Sequence, residues 1–380
     1  MTIFDLPTPA LLVDAVRLER NLQTMQERAL RAGVRLRPHA KTHKCAEIAR
    51  RQLALGASGL TTAKVSEAEA FVENGFSDIT IAFPVVGDAA HERLARLMER
   101  ARVRVLVESP EGAQLLSDFF RARGRRVPVL LEVDVGYGRT GVRWDAPEAV
   151  SLYERLHALA GLEPEGVLTH AGHSYQGAQD PLSSRAWAQR ISDEERDRIE
   201  ALARALQVRG LPVQEVSVGS TPTAVHFRPS GRPLVTEMRP GNYVFFDAMQ
   251  VALGSCALDE VALSVLATVV ARHEEGQETR LYVDAGKKAL TTDTHRLVEG
   301  YGIVADPETR SPYPGVRLEA LSEEHGWIRA PRHLKLGVGS RVRIFPVHAC
   351  VVANLFDQYV VEEELRVCDR WPIIARGRSQ

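Results

Sequence analysis

At 380 residues the chain exceeds the usual size of one domain, and a barrel of about 250 residues with a smaller partner domain fits the length. Its 44% hydrophobic and 26% charged residues are those of a soluble globular protein, and a formal net charge of −1 argues against nucleic acid or an anionic membrane as partner. No apolar run reaches about 18 residues, the opening Met-Thr-Ile-Phe-Asp-Leu-Pro is not a secretory leader, and Cys45, Cys256, Cys350 and Cys368 are too scattered for a disulfide framework, so a cytoplasmic protein is expected.

Asp14 is placed to cap a helix over residues 14–31. Strand patterns follow at 35–40, 59–63, 78–83, 103–108, 127–135, 166–170, 214–219 and 237–243, and amphipathic segments at 46–55, 65–73, 90–101, 110–123, 147–159 and 193–209 lie between or beside them. Eight strands with helical crossovers predict a parallel sheet, most simply a closed (β/α)8 barrel, with an open doubly wound sheet as the alternative. No Gly-x-Gly-x-x-Gly follows the first strand, so nothing supports a dinucleotide fold. Beyond about residue 255 the helical crossovers vanish. Short runs at 261–272, 279–284, 315–321, 327–329, 341–345 and 358–361, broken by Gly, Pro and charged turns, predict a mostly antiparallel β domain. The expected division is a barrel over 1–254, whose first few residues can join the β domain, and a β domain over 255–380.

Barrel sites lie at the C-terminal strand ends. Lys41 follows the first strand, among Arg37, His39, His43 and Lys44, where neighbouring cations would destabilise its ammonium and make the amine a Schiff-base nucleophile. A solvated basic loop is the plainer reading of such a cluster. Glycines around Arg139 leave that residue free to swing into a pocket. The sixth strand ends in Thr169-His170-Ala171-Gly172-His173-Ser174-Tyr175. The seventh and eighth end in Gly219-Ser220-Thr221 and Pro240-Gly241-Asn242-Tyr243, adjacent turns whose N–H and hydroxyl groups suit a phosphate.

In the β domain His348 and Cys350 stand at i and i+2. In an extended strand both would face one ion, and imidazole with thiolate favours zinc or a similar borderline-soft metal. A buried free cysteine beside a core histidine is the plainer alternative. The stretch Asp284-Ala285-Gly286-Lys287-Lys288 reads equally as pocket lining or as a structural turn. Asp293, His295, Tyr301, Glu323 and His325 lie in polar stretches that the sequence does not assign.

Taken in order, Thr8-Pro9-Ala10, Arg-Pro-His-Ala-Lys-Thr-His-Lys (37–44), Gly-Arg-Thr-Gly (138–141), Thr-His-Ala-Gly-His-Ser-Tyr, Gly-Ser-Thr-Pro-Thr (219–223), Arg-Pro-Gly-Asn-Tyr (239–243) and His-Ala-Cys resemble the fold-type III pyridoxal phosphate (PLP) enzymes from end to end. The branch is that of eukaryotic-type D-serine dehydratases and D-threonine aldolases, with an alanine racemase-like barrel followed by a β domain. The resemblance implies that Lys41 carries the cofactor and that Arg139 stands beside its phenolic oxygen. It also implies that Tyr175 contacts the cofactor ring near its nitrogen, while Gly219, Ser220, Thr221, Gly241, Asn242 and Tyr243 form the phosphate cup. His348 and Cys350 match the metal pair. In that family His-x-Cys accompanies zinc in dehydratases and an aspartate replaces the thiolate in aldolases, although the 284–290 and 353–357 stretches are aldolase-like. The implied reaction is elimination of water from a D-3-hydroxy amino acid, with retro-aldol cleavage as the rival and a racemase or a non-catalytic PLP-binding protein behind it. PLP, a divalent ion (Zn2+ first, with Mn2+, Co2+ or Mg2+ as alternatives), a small D-amino acid substrate and a homodimer complete the expectation, with neither nucleic acid nor membrane as partner.

Overall fold

The computed structural model describes all 380 residues, the side chain of Pro181 excepted. Strand β1 (Ala10–Asp14) leads into α1 (Ala15–Arg31), and Asp14 caps that helix by accepting the Arg17 N–H at 2.9 Å. Seven βα steps follow: β2 (Arg35–Leu36), α2 (Ala46–Ala54), β3 (Leu60–Thr62), α3 (Val65–Glu73), β4 (Asp78–Pro84), α4 (Asp88–Leu97), β5 (Arg102–Val107), α5 (Pro110–Arg121), β6 (Val127–Asp134), the short β7 (Val142–Arg143), α6 (Pro147–Ala158), β8 (Leu162–Thr169), α7 (Pro181–Val208), β9 (Glu215–Val218), α8 (Thr221–Val225) and then β10 (Glu237–Met238). Strands pair in parallel in the order β2-β10-β9-β8-β6-β5-β4-β3, with β7 alongside β6. The ring closes where His39 bridges Thr61, with Ala40 N–H donating to the Thr61 carbonyl at 2.7 Å and Thr61 N–H to the Pro38 carbonyl at 2.8 Å. It is a closed eight-stranded barrel.

Two barrel strands fall furthest short of the apolar pattern, with two residues each. β2 ends at Leu36 and β10 at Met238 because Pro38 and Pro240 have no N–H to continue a ladder. α7 starts at Pro181 rather than at 193, since Asp180 accepts the Ser183 N–H at 2.9 Å and proline is favoured in the first turn.

The barrel floor is ionic. The buried Arg37 guanidinium bridges Glu237 and Asp78, each at 2.7 Å, and the buried Arg104 meets Glu215 at 3.0 Å, so these charges are paired as buried charges must be. Leu106, Leu130 and Leu168 form a small separate apolar cluster on neighbouring strands. Strand alternation puts Glu132 two residues beyond Leu130 on the same face, and His170 two beyond Leu168, toward the C-terminal mouth.

The second sheet is built from β1 with β11 (Leu263–Glu275), β12 (Glu278–Val283), β13 (Gly302–Ala305), β14 (Arg317–Leu321), β15 (Gly326–Pro331), β16 (Arg341–Pro346), β17 (Gln358–Glu363) and β18 (Arg366–Pro372). Its order is β14-β15-β12-β11-β1-β17-β18, with β16 pairing β11 and β13, and only the β1–β17 pair is parallel. Short helices α9 (Ala248–Ala252), α10 (Lys287–Leu290) and α11 (Ala349–Ala353) sit at its connections. Among the described residues no helix is long and apolar enough to cross a membrane.

Candidate active site

Lys41 occupies the turn after β2, half-buried at the barrel mouth. Burial pushes its ammonium below the ordinary lysine value and Arg139 adds to the effect, while Cys350 opposes it. The cation cluster expected from the sequence is not the cause. Arg37 is bound in the barrel floor, Lys44 donates to Asn354 Oδ1 at 2.8 Å, and burial holds His39 and His43 neutral, His43 down at about 3.

Arg139 rides on the loop between β6 and β7. Asp134 Oδ1 accepts the N–H groups of Gly136, Tyr137 and Gly138 at 2.8–3.1 Å, and Gly136 and Gly138 sit at φ +119° and +73°, where side chains are disfavoured. Glu132 Oε1 accepts the Thr140 hydroxyl at 2.7 Å and Glu108 Oε2 the Gly141 N–H at 2.7 Å, so the loop is fastened on both sides of Arg139. The arginine itself is exposed, its guanidinium 5.5 Å from the Tyr137 ring centroid, and its charge depresses both Lys41 and His170.

Tyr175 lies in the 3-10 turn Gly172–Gln176 after β8. Its hydroxyl accepts the Thr221 N–H at 3.4 Å, and burial raises its pKa, so it remains a phenol. His170, which the sequence placed at a strand end without a role, donates Nδ1–H to the Gly219 carbonyl at 2.6 Å, and its ring lies 6.4 Å from Tyr175. Burial, with Lys41 adding, holds it down at about 3, so it is neutral with Nε2 free as an acceptor.

The two turns proposed for phosphate meet: Tyr243 N–H donates to Thr221 Oγ1 at 3.2 Å. Gly241 lets the β2 loop approach, since a Cβ there would lie 2.9 Å from both the His39 carbonyl and Thr42 Oγ1. Ser220, Gly241 and Asn242 N–H groups find no protein acceptor among the described residues, which suits an anion. Other members of the expected cup are otherwise engaged. Gly219 N–H donates to Glu195 Oε1, Tyr243 is buried with its hydroxyl accepting from Gln52 Nε2 at 3.0 Å, and the Asn242 side-chain Nδ2 donates to Asp247 Oδ2 at 2.6 Å. Ser220 caps α8 by accepting the Thr223 N–H at 3.2 Å, a helix not foreseen in that turn. Glu195, on α7, was unmarked in the sequence. Its Oε1 takes the N–H of both Ala171 and Gly219 at 3.1 Å, tying the ends of β8 and β9 together.

His348 and Cys350 converge, but not by strand alternation. β16 stops at Pro346, His348 is the extended N-cap of α11, and Cys350 stands in the first helical turn. Asp247, also unmarked in the sequence, accepts the Ala349 N–H at 2.9 Å and holds this helix start in place. Burial disfavours charge on both side chains. The mutual contact wins: the thiol is pulled below its ordinary value by His348, and the imidazole is raised well above its own by Cys350 and Asp293. Cys350 Sγ lies 3.1 Å from Thr42 Oγ1, the residue after Lys41, so the pair stands close to the lysine. The donor chemistry fits a borderline-soft ion with open positions for substrate, whereas among the described residues no three His, Cys, Asp or Glu side chains make a closed metal site.

The 284–288 stretch is a structural turn. Asp284 accepts from Thr8 Oγ1 at 2.5 Å and Thr268 N–H at 2.8 Å, and the exposed Lys288 pairs with Glu324. His325 lies in the turn between β14 and β15, and Tyr301 packs against the core.

The family description "Alanine racemase, N-terminal domain" matches residues 13–249, and "Putative serine dehydratase domain" matches 262–362. The chain is 39% identical to D-threo-3-hydroxyaspartate dehydratase of Delftia sp. (strain HT23), covering 94% of each. It is 35% identical to D-threonine aldolase of Arthrobacter sp (98% of this chain, 93% of that protein) and 30% identical to D-serine dehydratase of Dictyostelium discoideum (94% of each). The solved Delftia enzyme superposes with a TM-score of 0.88 at 36% identity over 98% of both chains, and a variant of that enzyme with a cysteine replaced by alanine is described as metal-free.

Proposed function

The chain belongs to the fold-type III PLP enzymes, in the branch joining an alanine racemase-like barrel to a serine dehydratase-like domain, and from that membership we propose a metal-dependent lyase removing water from a D-3-hydroxy amino acid. The products are a 2-oxo acid and ammonia, and the substrate is of the D-serine, D-threonine or D-3-hydroxyaspartate type. The observation that carries the reading is the Cys350 thiol, held against His348 and 3.1 Å from Thr42, beside Lys41.

When bound, PLP supplies an electron sink for negative charge at Cα, and a divalent ion, zinc by preference, supplies a Lewis acid for a poor hydroxyl leaving group. Lys41 would hold the cofactor, and its amine would be the base for the Cα proton; its lowered pKa makes the free amine accessible nearer neutrality. His348 and Cys350 would hold the ion. Arg139, on the β6–β7 loop, and Tyr175, in the turn after β8, would contact the cofactor, and the free backbone N–H groups of Ser220, Gly241 and Asn242 would receive its phosphate. The neutral His170 adds no positive charge beside Lys41 and so leaves its amine free to accept a proton.

Retro-aldol cleavage to glycine and an aldehyde is the second reading, favoured by 35% identity to D-threonine aldolase. Incubating the PLP- and zinc-loaded protein with D-serine, D-threonine and D-3-hydroxyaspartate separates the two. Ammonia and oxo acid are expected, and glycine with aldehyde as main products would overturn elimination. The same reading makes the protein a cytoplasmic homodimer. Four free cysteines suit a reducing compartment, and light scattering tests the dimer.

A further inference from the structure

Asp293 lies in the loop between α10 and β13, with its carboxylate partly exposed. Asp293 Oδ2 accepts the Nδ1 proton of His348 at 2.7 Å, across 55 positions of sequence. An ionised carboxylate only accepts, so Nδ1 carries a proton, and Nε2 is the nitrogen whose proton an incoming ion would replace. The two nitrogens face opposite sides of the ring. A carboxylate on Nδ1 therefore cannot reach an ion on Nε2, in keeping with the absence, among the described residues, of any three-membered ligand cluster.

The loop is fastened to the barrel rather than loose. Asp293 N–H donates to Thr291 Oγ1 at 2.9 Å, and two residues on His295 donates Nε2–H to the Tyr175 carbonyl at 2.9 Å. Arg296 donates to the carbonyls of Gln176 at 3.0 Å and Gly177 at 2.8 Å. One short segment of the β domain thus grips both the turn that carries Tyr175 and the ring of His348.

We propose that Asp293 is a positioning residue of the metal centre, which locks His348 in its Nδ1–H form and aims Nε2 at the ion beside Cys350. The proposal rests on the reading of His348 and Cys350 as metal ligands. A carboxylate on the remote nitrogen of a ligand histidine fixes the ring and makes the ligating nitrogen more basic, and its loss weakens metal binding about 10–100-fold.

The test is zinc affinity of the PLP-loaded full chain by chelator competition, for wild type, Asp293→Ala, Asp293→Asn and Cys350→Ala, with visible spectra of the cobalt-substituted forms. Asp293→Ala should bind zinc about 10–100-fold more weakly and alter the cobalt spectrum, with PLP absorbance and melting temperature unchanged. Asp293→Asn, which keeps an oxygen acceptor for Nδ1–H, should recover part of the affinity and of the spectrum. Zinc affinity within twofold of wild type in Asp293→Ala, or in Asp293→Asn an affinity no better than that of a folded Asp293→Ala, overturns the proposal. Should Asp293→Ala not fold, Asp293→Asn decides alone: a zinc affinity and cobalt spectrum identical to those of wild type in folded Asp293→Asn would overturn the proposal. Wild type that binds no zinc, or binds it as tightly after Cys350→Ala, overturns the ligand reading itself and this proposal with it.

Discussion

At the scale of single residues, the proposed reaction divides its chemistry between Lys41 and Cys350. The lysine owes its lowered pKa to burial first and Arg139 second, so Lys41→Ala should abolish both turnover and the visible absorbance of bound cofactor. Cys350→Ala removes a thiol that lies beside Thr42 and His348 but leaves Lys41 and the turns proposed for phosphate in place. It should cut elimination at least about 100-fold, since loss of an outer-shell partner of a ligand alone costs about 10–100-fold, while the cofactor absorbance stays. Loss of absorbance in Cys350→Ala would show that the two sites are not separable. Both residues were legible because each stands in a short block of unusual composition at an element end. Their partners were not, since Asp293 meets His348 from 55 positions away and Thr42 meets Cys350 from 308.

Among elements, α7 carries more than a crossover. Glu195 satisfies the amides of Ala171 and Gly219 with one oxygen, which aligns the turn of Tyr175 with the turn of Ser220 and Thr221. Burial raises its pKa, so glutamine is a close substitute. Glu195→Ala leaves two buried N–H groups without an acceptor and should cost about 2–4 kcal/mol in urea unfolding and weaken PLP binding. Glu195→Gln, which keeps the oxygen, should lose less than about half of that. Equal losses would mean that the charge, not the oxygen, matters. The eight barrel strands were readable because strands buried on both faces are apolar runs. Their ends were not, because Pro38 and Pro240 stop the ladder within runs whose composition still reads as strand, and a 3-10 turn begins at Asn242. α11 misled for a related reason. The alternation of His348 and Cys350 mimics a strand, whereas Asp247 caps a helix start between them.

For the whole molecule, burial of neutral histidines sets the acid limit. His43 is held at about 3 against an ordinary 6.5, with burial the main cause. The unfolded chain therefore binds more protons between these values, so stability is full above about pH 6.5 and is lost as pH falls toward 3, by about 1.4 kcal/mol per pH unit for each such group. The melting temperature should thus drop below pH 6.5, and His43→Gln should flatten that slope; an unchanged slope would assign acid loss to the ionic barrel floor instead. There Arg37 and Arg104 are sealed among Asp78, Glu215 and Glu237, drawn from strands that only barrel closure brings together.

The sequence by itself determined the alternation of strands and helices, the change to a β domain, and the strand-end blocks that carry Lys41, Arg139, Tyr175 and the turns proposed for phosphate. These are local properties, written in periodicity and in turn residues that need no distant partner. Tertiary structure alone decided that burial rather than neighbouring cations lowers Lys41. It also decided that His348 and Cys350 meet across a helix cap, and that Glu195, Asp247 and Asp293 hold the site together. Charge state and hydrogen-bond partnership depend on what lies within a few ångströms, and the closed barrel with its appended sheet brings residues that close from positions far apart in the chain.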